Sequence, residues 1–333
     1  MVRIVNAYFT VVLTAIALFF LVWALGWLLE KLSHQLLGTV SKIGSKAWYL
    51  LVGPGVALHE SSHGLGCILT GTPIVEFKPV NVEVTDEGVV LGYVKYRRPT
   101  SAIKNAVINL APVVVSLVLL IFFALGATYF VPGSPGIGGE ALDLLADLIE
   151  MRSNPSLLND AGYPVAQIVN FVYLFLYTFA GLTVLSPVFW IVAFLAMTIM
   201  FSNAPSDVDI RNARAGLRAI IVFDTIWLII AYFIPQAGML LYGLFEFLAV
   251  MWALALAFAA VGYGFFILVF ALSRLRTPLQ AIPLALCLAS AFVMAYSGFG
   301  TAAFQTIAAV GLLFISTTVM LAVKSFRVGG TEA

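Results

Sequence analysis

Apolar residues run through this chain in long blocks separated by short polar stretches. A block of about 20 apolar residues is what an α-helix needs to cross the ~30 Å hydrocarbon core of a bilayer. Such blocks lie near 7–29, 47–71, 105–130, 166–202, 216–235, 238–272, 279–297 and 302–324. They predict an all-α polytopic membrane protein of about eight transmembrane helices. A single helix over 166–202 would reach roughly 55 Å, so that block must protrude, bend at Ser186-Pro187 or contain a re-entrant piece. The same question attaches to 238–272, around Gly262 and Gly264. The first block follows Arg3, is longer than the apolar core of a secretion signal and has no small-residue cleavage pattern behind it, so it reads as a retained span.

Two connections carry their own pattern. Residues 73–99 alternate around Asp86-Glu87-Gly88, with Val82 and Val84 before the turn and Val90, Tyr93, Val94 and Tyr96 after it. This predicts a small β-segment between the second and third spans. Residues 131–165 are rich in Pro, Gly and acids and predict an exterior loop with one amphipathic helix near 139–151. The division expected from these elements is a first span with an exterior loop over 1–46, a core over 47–210, and about four further spans over 211–333.

Composition agrees with a bilayer environment. The chain is 62% hydrophobic and 10% charged, against about 25% charged in soluble domains. A net charge of +1 points to neither nucleic acid nor an acidic partner. Cys67 and Cys287 each stand in an apolar stretch and read as buried small hydrophobes rather than a disulfide. Basic residues are enriched in cytosolic loops of membrane proteins. Eight spans with both termini in the cytosol leave only Lys31, Lys42, Lys46 and Arg152 outside, with 30–46 the one dissenting loop. The expected location is a cell membrane, multi-pass.

Against this background one polar cluster stands out. His59-Glu60-Ser61-Ser62-His63 interrupts an apolar run and uses two of the chain's three histidines. Imidazoles four residues apart on a helix face one way and can grip one metal ion, and the adjoining Glu can take a proton from an attacking water. Ionisable groups within a span are costly and mark function. Gly64 and Gly66 follow at once and would let another helix approach.

Catalytic zinc takes three protein ligands and an open position. Six residues after His63 stands Leu69, so the third ligand comes from elsewhere. His34, Glu76, Glu83, Asp224 and Glu246 are each better placed for other roles. The segment Phe201-Ser202-Asn203-Ala204-Pro205-Ser206-Asp207-Val208-Asp209 ends the fourth predicted span on the same side as the motif. Asp207 or Asp209 can serve, the other acting as a helix N-cap before Arg211–Arg218; Asp209 suits the cap and Asp207 the metal.

In these residues the chain resembles the site-2 proteases, zinc metalloproteases that cut within or beside the membrane. The resemblance is carried by His59-Glu60-x-x-His63, the strand-rich segment 73–99, Asn109-Leu110-Ala111-Pro112-Val113 opening the next span, and Asn203-x-Pro205-x-Asp207. It implies Zn2+ held by His59, His63 and Asp207 (alternatively Asp209), Glu60 as general base and acid, and Asn203 and Asn109 in a substrate groove. The implied partners are a membrane-protein or peptide substrate and the lipid bilayer, with no nucleic acid. The substrate must unwind before attack, and segment 73–99 could capture it by strand addition. Lys95, Arg97 and Arg98 read as headgroup anchors. The competing readings are a non-enzymatic metal transporter or sensor, and an inactive relative that binds single-span partners.

Overall fold

The computed structural model describes residues 7–40, 46–81, 83–85, 88–90, 92–130, 136–151, 153–234, 241–276 and 278–329. The chain runs α1 (Ala7–Val40), α2 (Lys46–Thr70), β1 (Ile74–Lys78), β2 (Glu83–Thr85), β3 (Gly88–Val90), β4 (Tyr93–Tyr96), α3 (Ala102–Phe130), α4 (Gly136–Met151), α5 (Pro155–Leu158), α6 (Tyr163–Gly181), α7 (Pro187–Asn203), α8 (Asp207–Phe233), α9 (Tyr242–Ser273), α10 (Ala281–Ser297) and α11 (Ala302–Gly329). Among the described residues, six helices are long and apolar enough to cross a membrane: Phe9–Leu29 within α1, Ala102–Gly126 within α3, α6, α8, α9 and Ala302–Val323 within α11. This is the pattern of a multi-pass, all-α membrane protein.

Several expected spans take a different form. The block 166–202 is two helices, α6 and α7, separated by a turn in which Thr183 has φ of 59°. The block 238–272 stays one helix of 32 residues. The predicted span 47–71 does form a helix, but α2 is not among the six, because its polar motif dilutes the apolar run. Helices α7 and α10 are apolar but short, at 17 residues each. The amphipathic helix expected near 139–151 is α4.

The β-segment is two antiparallel ribbons, β1 with β4 and β2 with β3. In the first, Phe77 pairs with Val94 and Lys78 with Tyr93, with an irregularity between Ile74 and Glu76. The predicted Asp86-Glu87 turn and the side chains of His34 and Glu83 lie outside the described residues. Cys67 and Cys287 are both free and buried.

Contacts divide the chain into two units, Met1–Val172 with Thr198–Ala259, and Tyr173–Met197 with Ala260–Ala333. The first unit holds the His-Glu-His motif, the β-segment, the start of α8 and also α1. In the second, Phe179 stacks on Phe189 at 4.6 Å, and Trp190 Nε1 donates to the Val184 carbonyl at 2.9 Å.

Within the first unit, α1 is tied to the start of α8. Lys31 forms an ion pair with Asp207, and Trp27 Nε1 donates to the same carboxylate at 3.1 Å. Lys31 therefore cannot stand outside while the 203–209 segment faces the cytosol. Lys31 thus shares a side with Arg211, Arg214 and Arg218, whereas Lys42 and the side chain of Lys46 lie outside the described residues.

Two glycines allow the close packing on which the motif depends. At Gly55 a Cβ would stand 2.6 Å from Phe201 Cβ and 2.9 Å from the Thr198 carbonyl, so α2 meets α7 backbone to backbone. At Gly66 it would stand 2.9 Å from Ile108 Cα, the same condition against α3. Sequence analysis pointed to Gly64 as well, but a Cβ there meets only the Phe77 ring, at an ordinary 3.4 Å. Gly53, two residues before Gly55, has open space. Gly55→Ala is expected to destabilise by about 1–3 kcal/mol through overpacking. Gly53→Ala is expected to be neutral or slightly stabilising, because it lowers backbone freedom without a clash. Thermal unfolding of the two variants in detergent checks the contrast.

Candidate metal centre

A four-residue spacing puts His59 and His63 one turn apart on one face of α2, with ring centroids 4.7 Å apart. Both are buried, with 9% and 6% of their surface exposed. What aims the rings is the backbone around them. His59 Nδ1 lies 2.8 Å from the Ser202 carbonyl at the end of α7, and His63 Nδ1 lies 2.8 Å from the Ile108 carbonyl in α3. A carbonyl only accepts, so each Nδ1 carries the proton and each Nε2 presents a lone pair.

The sequence explains why those two carbonyls are available. In an α-helix the carbonyl of residue i accepts from the N–H of residue i+4. The partner of Ile108 would be residue 112, which is Pro112 and has no N–H. The partner of Ser202 would be Ser206, but α7 ends at Asn203, Pro205 follows, and Ser206 N–H donates at 2.9 Å to Asp209 Oδ2 instead. Pro112 and the end of α7 at Asn203 thus leave two carbonyls without helical partners, and the histidines take them.

Asp209 completes the cluster. It sits at N3 of α8, where a capping box joins it to Ser206: Ser206 Oγ accepts from the Asp209 N–H at 3.1 Å and donates to Oδ2 at 2.7 Å. A carboxylate in the first turn is also favoured by the helix dipole. From that position Oδ2 reaches His59 Nε2 at 3.2 Å, and Oδ1 reaches His63 Nε2 at 3.1 Å. The two Nε2 atoms are 3.0 Å apart. Asp209 is the third member of the group and Asp207 is not. Asp207 points away to Trp27 and Lys31, with 64% of its side chain exposed against 8% for Asp209. The N-cap expected of an acid is Ser206, and Asp209, at N3, both closes the capping box and faces the histidines, because its side chain folds back over the helix start toward α2.

These atoms fit a metal ion. His59, His63 and Asp209 are all buried, and their ligand atoms lie within 4.8 Å of one another. With both Nδ1 protons committed to carbonyls, the converging nitrogens and carboxylate oxygens are all acceptors. Buried lone pairs facing each other at about 3 Å are repulsive unless a cation lies among them. Two imidazoles and a carboxylate are a donor set for zinc and other borderline transition metals. The carbonyls behind the histidines are the outer partners that such ligands need to hold their orientation.

Glu60 is half-buried beside the group, and the Val94 N–H of β4 reaches its carboxylate. Strand β4 is held by its own contacts. Tyr96 Oη accepts from Asn109 Nδ2 at 3.0 Å, and that amide also donates to the Asn105 carbonyl at 2.7 Å. Asn109, expected in a substrate groove, is therefore a tie between β4 and α3. Glu76 accepts from Tyr93 at 2.7 Å and from Lys78 and Lys95 at 2.9 Å, which pins β1 to β4. These donors hold the Glu76 carboxyl at about 2, far below the usual glutamate range. Its contribution is therefore complete above the ordinary value and lost only as the pH falls toward about 2.

Asn203, also expected in the groove, is buried with 2% exposed, and its Oδ1 has no hydrogen-bond partner among the described residues. An unsatisfied buried acceptor costs about 1–3 kcal/mol. Sequence reasoning missed Ser202, Ile108, Ser206, Trp27 and Lys31. A proline four residues after Ile108 and the Ser206-x-x-Asp209 spacing were the available signals; nothing local marks Trp27 or Lys31.

Two predictions follow from this geometry. Asp209→Asn is expected to lower metal affinity by at least about 100-fold, and Asp207→Asn to leave it within a few-fold. Pro112→Ala restores an N–H that competes for the Ile108 carbonyl and is expected to weaken metal binding by about 10- to 100-fold. Metal content of the purified proteins by elemental mass spectrometry, with chelator competition, checks both. Comparison with protein-family models, curated proteins and solved structures finds no match to this chain.

Proposed function

We propose that the chain is a zinc metalloendopeptidase that cleaves membrane-protein substrates within or near the bilayer, with the site-2 protease resemblance as its sequence support. The observation that carries this reading is the placement of Glu60. It stands one residue from the first ligand and beside the three converging donors, with its carboxylate against a strand of the β-segment. A carrier or sensor site needs the ligands but has no use for a carboxylate in that position.

His59, His63 and Asp209 would hold a zinc ion, which when bound would supply Lewis acidity toward water and a substrate carbonyl. Glu60 takes the proton of the attacking water on a carboxylate oxygen and delivers it to the nitrogen of the departing amine. The Ser202 and Ile108 carbonyls keep both Nε2 lone pairs aimed inward throughout. Strand β4 is paired on one side by β1, and its Val94 faces Glu60. An extended peptide adding along this side would lie beside the general base, and strand addition would hold it unwound. Asn203 Oδ1 offers a buried acceptor to such a peptide.

Glu60→Gln is expected to retain the metal and lose cleavage of a single-span substrate by about 10²- to 10⁴-fold, the usual worth of a general base. Wild-type cleavage by metal-loaded Glu60→Gln protein would sink the reading; so would metal loss in this variant, since Glu60 would then be a ligand.

A further inference from the structure

A second polar site lies in the first unit, where the start of α3 meets α8. A cavity of about 310 Å³ is lined by Arg98, Arg211, Arg214 and Arg218, with Thr100 and Asn105 among its other walls. Arg211, Arg214 and Arg218 recur at helical spacing on one face of α8. Arg98 comes from the chain just after β4. Asn105 Nδ2 donates to the Asn212 carbonyl at 2.9 Å and ties the two sides together.

Four guanidinium groups around one cavity repel one another, and among the described residues none has an ion-pair partner. Asp207, the acid near Arg211, is already engaged by Lys31 and Trp27. Glu76 is engaged by Lys78 and Lys95. The cavity therefore calls for an anion from outside the chain, and planar guanidinium forks match phosphate oxygens.

The rest of α8 identifies the anion's carrier. Beyond Arg218 the helix becomes apolar, and only 11% of its span is buried within the structure. Val222, Ile226, Ile229 and Phe233 share one face and are all exposed, from 52% to 74%. An acyl chain lying along that face would bring its headgroup to the arginines at the charged end of the same helix.

We propose that Arg98, Arg211, Arg214 and Arg218 form a binding site for the phosphate of an anionic phospholipid whose acyl chains lie along α8. The site is separate from the metal centre and does not depend on the protease reading. It makes a particular cavity, rather than a general basic surface, the point of lipid recognition.

The test uses the full-length protein in neutral detergent, titrated with short-chain phosphatidylglycerol or phosphatidylcholine and read by native mass spectrometry. Phosphatidylglycerol is expected to bind at least about tenfold more tightly than phosphatidylcholine. Each arginine removed is expected to cost about five-fold, so Arg214→Gln/Arg218→Gln should lose about 25-fold. Arg214→Lys/Arg218→Lys, which keeps the charge and guards against misfolding of the first variant, should lose less. Arg276→Gln, outside the cavity, should bind as wild type. Equal binding of the two lipids, or unchanged affinity in the double Gln variant, would overturn the proposal. Displacement of phosphatidylglycerol by equimolar inorganic phosphate would reassign the site to free phosphate. Tighter binding of a hexaglutamate peptide than of the lipid would reassign it to an acidic protein segment.

Discussion

Two hydrogen bonds, from His59 Nδ1 to the Ser202 carbonyl and from His63 Nδ1 to the Ile108 carbonyl, fix the chemistry of this molecule. They set the tautomer of each ring, and the tautomer decides whether the inward-facing nitrogens are donors or lone pairs. Neither carbonyl would be free in an uninterrupted helix. Pro112 removes one competing N–H, and the break at Pro205, with Ser206 turned to Asp209, removes the other. The close approaches at Gly55 and Gly66 then bring α7 and α3 near enough for the rings to reach those carbonyls. Helix packing, proline placement and ring orientation are thus one arrangement, and a change to any of them acts on the atoms of the candidate metal centre.

What could be read from the sequence was what depends on local periodicity. His59, Glu60 and His63 declare themselves because a four-residue spacing has one meaning on a helix. The β-segment and the amphipathic α4 follow from their own alternation and spacing. The third member of the cluster did not follow. Asp207 and Asp209 differ by two residues, which is half a helical turn, and which of them faces α2 depends on where α8 begins and how it crosses α2. The same limit explains Lys31. A charge count treats each loop as a unit and assigns sides by counting spans, whereas an ion pair from α1 to the start of α8 is a tertiary fact. The length of the block 166–202 demanded a departure from a single straight span, and the chain makes it in the turn around Thr183, just before Pro187 opens α7.

Helix α8 concentrates several duties at its first turns. Ser206 and Asp209 cap it, Asp209 faces the histidines, Asp207 holds α1, and Arg211, Arg214 and Arg218 open onto a basic cavity. Acids at the start and bases farther along suit the helix dipole only in part, because the arginines begin at the second turn rather than at the C-terminus. Their position is better explained by the bilayer: long basic side chains at the end of an apolar helix reach the headgroup region.

The depth of the metal centre follows from the same helix. A carboxylate at N3 of a helix whose first three turns carry three arginines cannot lie at the bilayer midplane, where such charges are most costly. Asp209 therefore places the centre at the polar end of α8, although the run around His59 and His63 is apolar. That location reconciles two needs of the proposed reaction. Burial of the ligands raises the strength of every electrostatic contact to an ion held among them. Proximity to the charged end of α8, and to a half-buried Glu60 beside β4, leaves water within reach of the base. A peptide drawn out of its helix onto β4 would meet the centre where the membrane gives way to the polar β-segment, so unwinding and hydrolysis would take place at the same boundary.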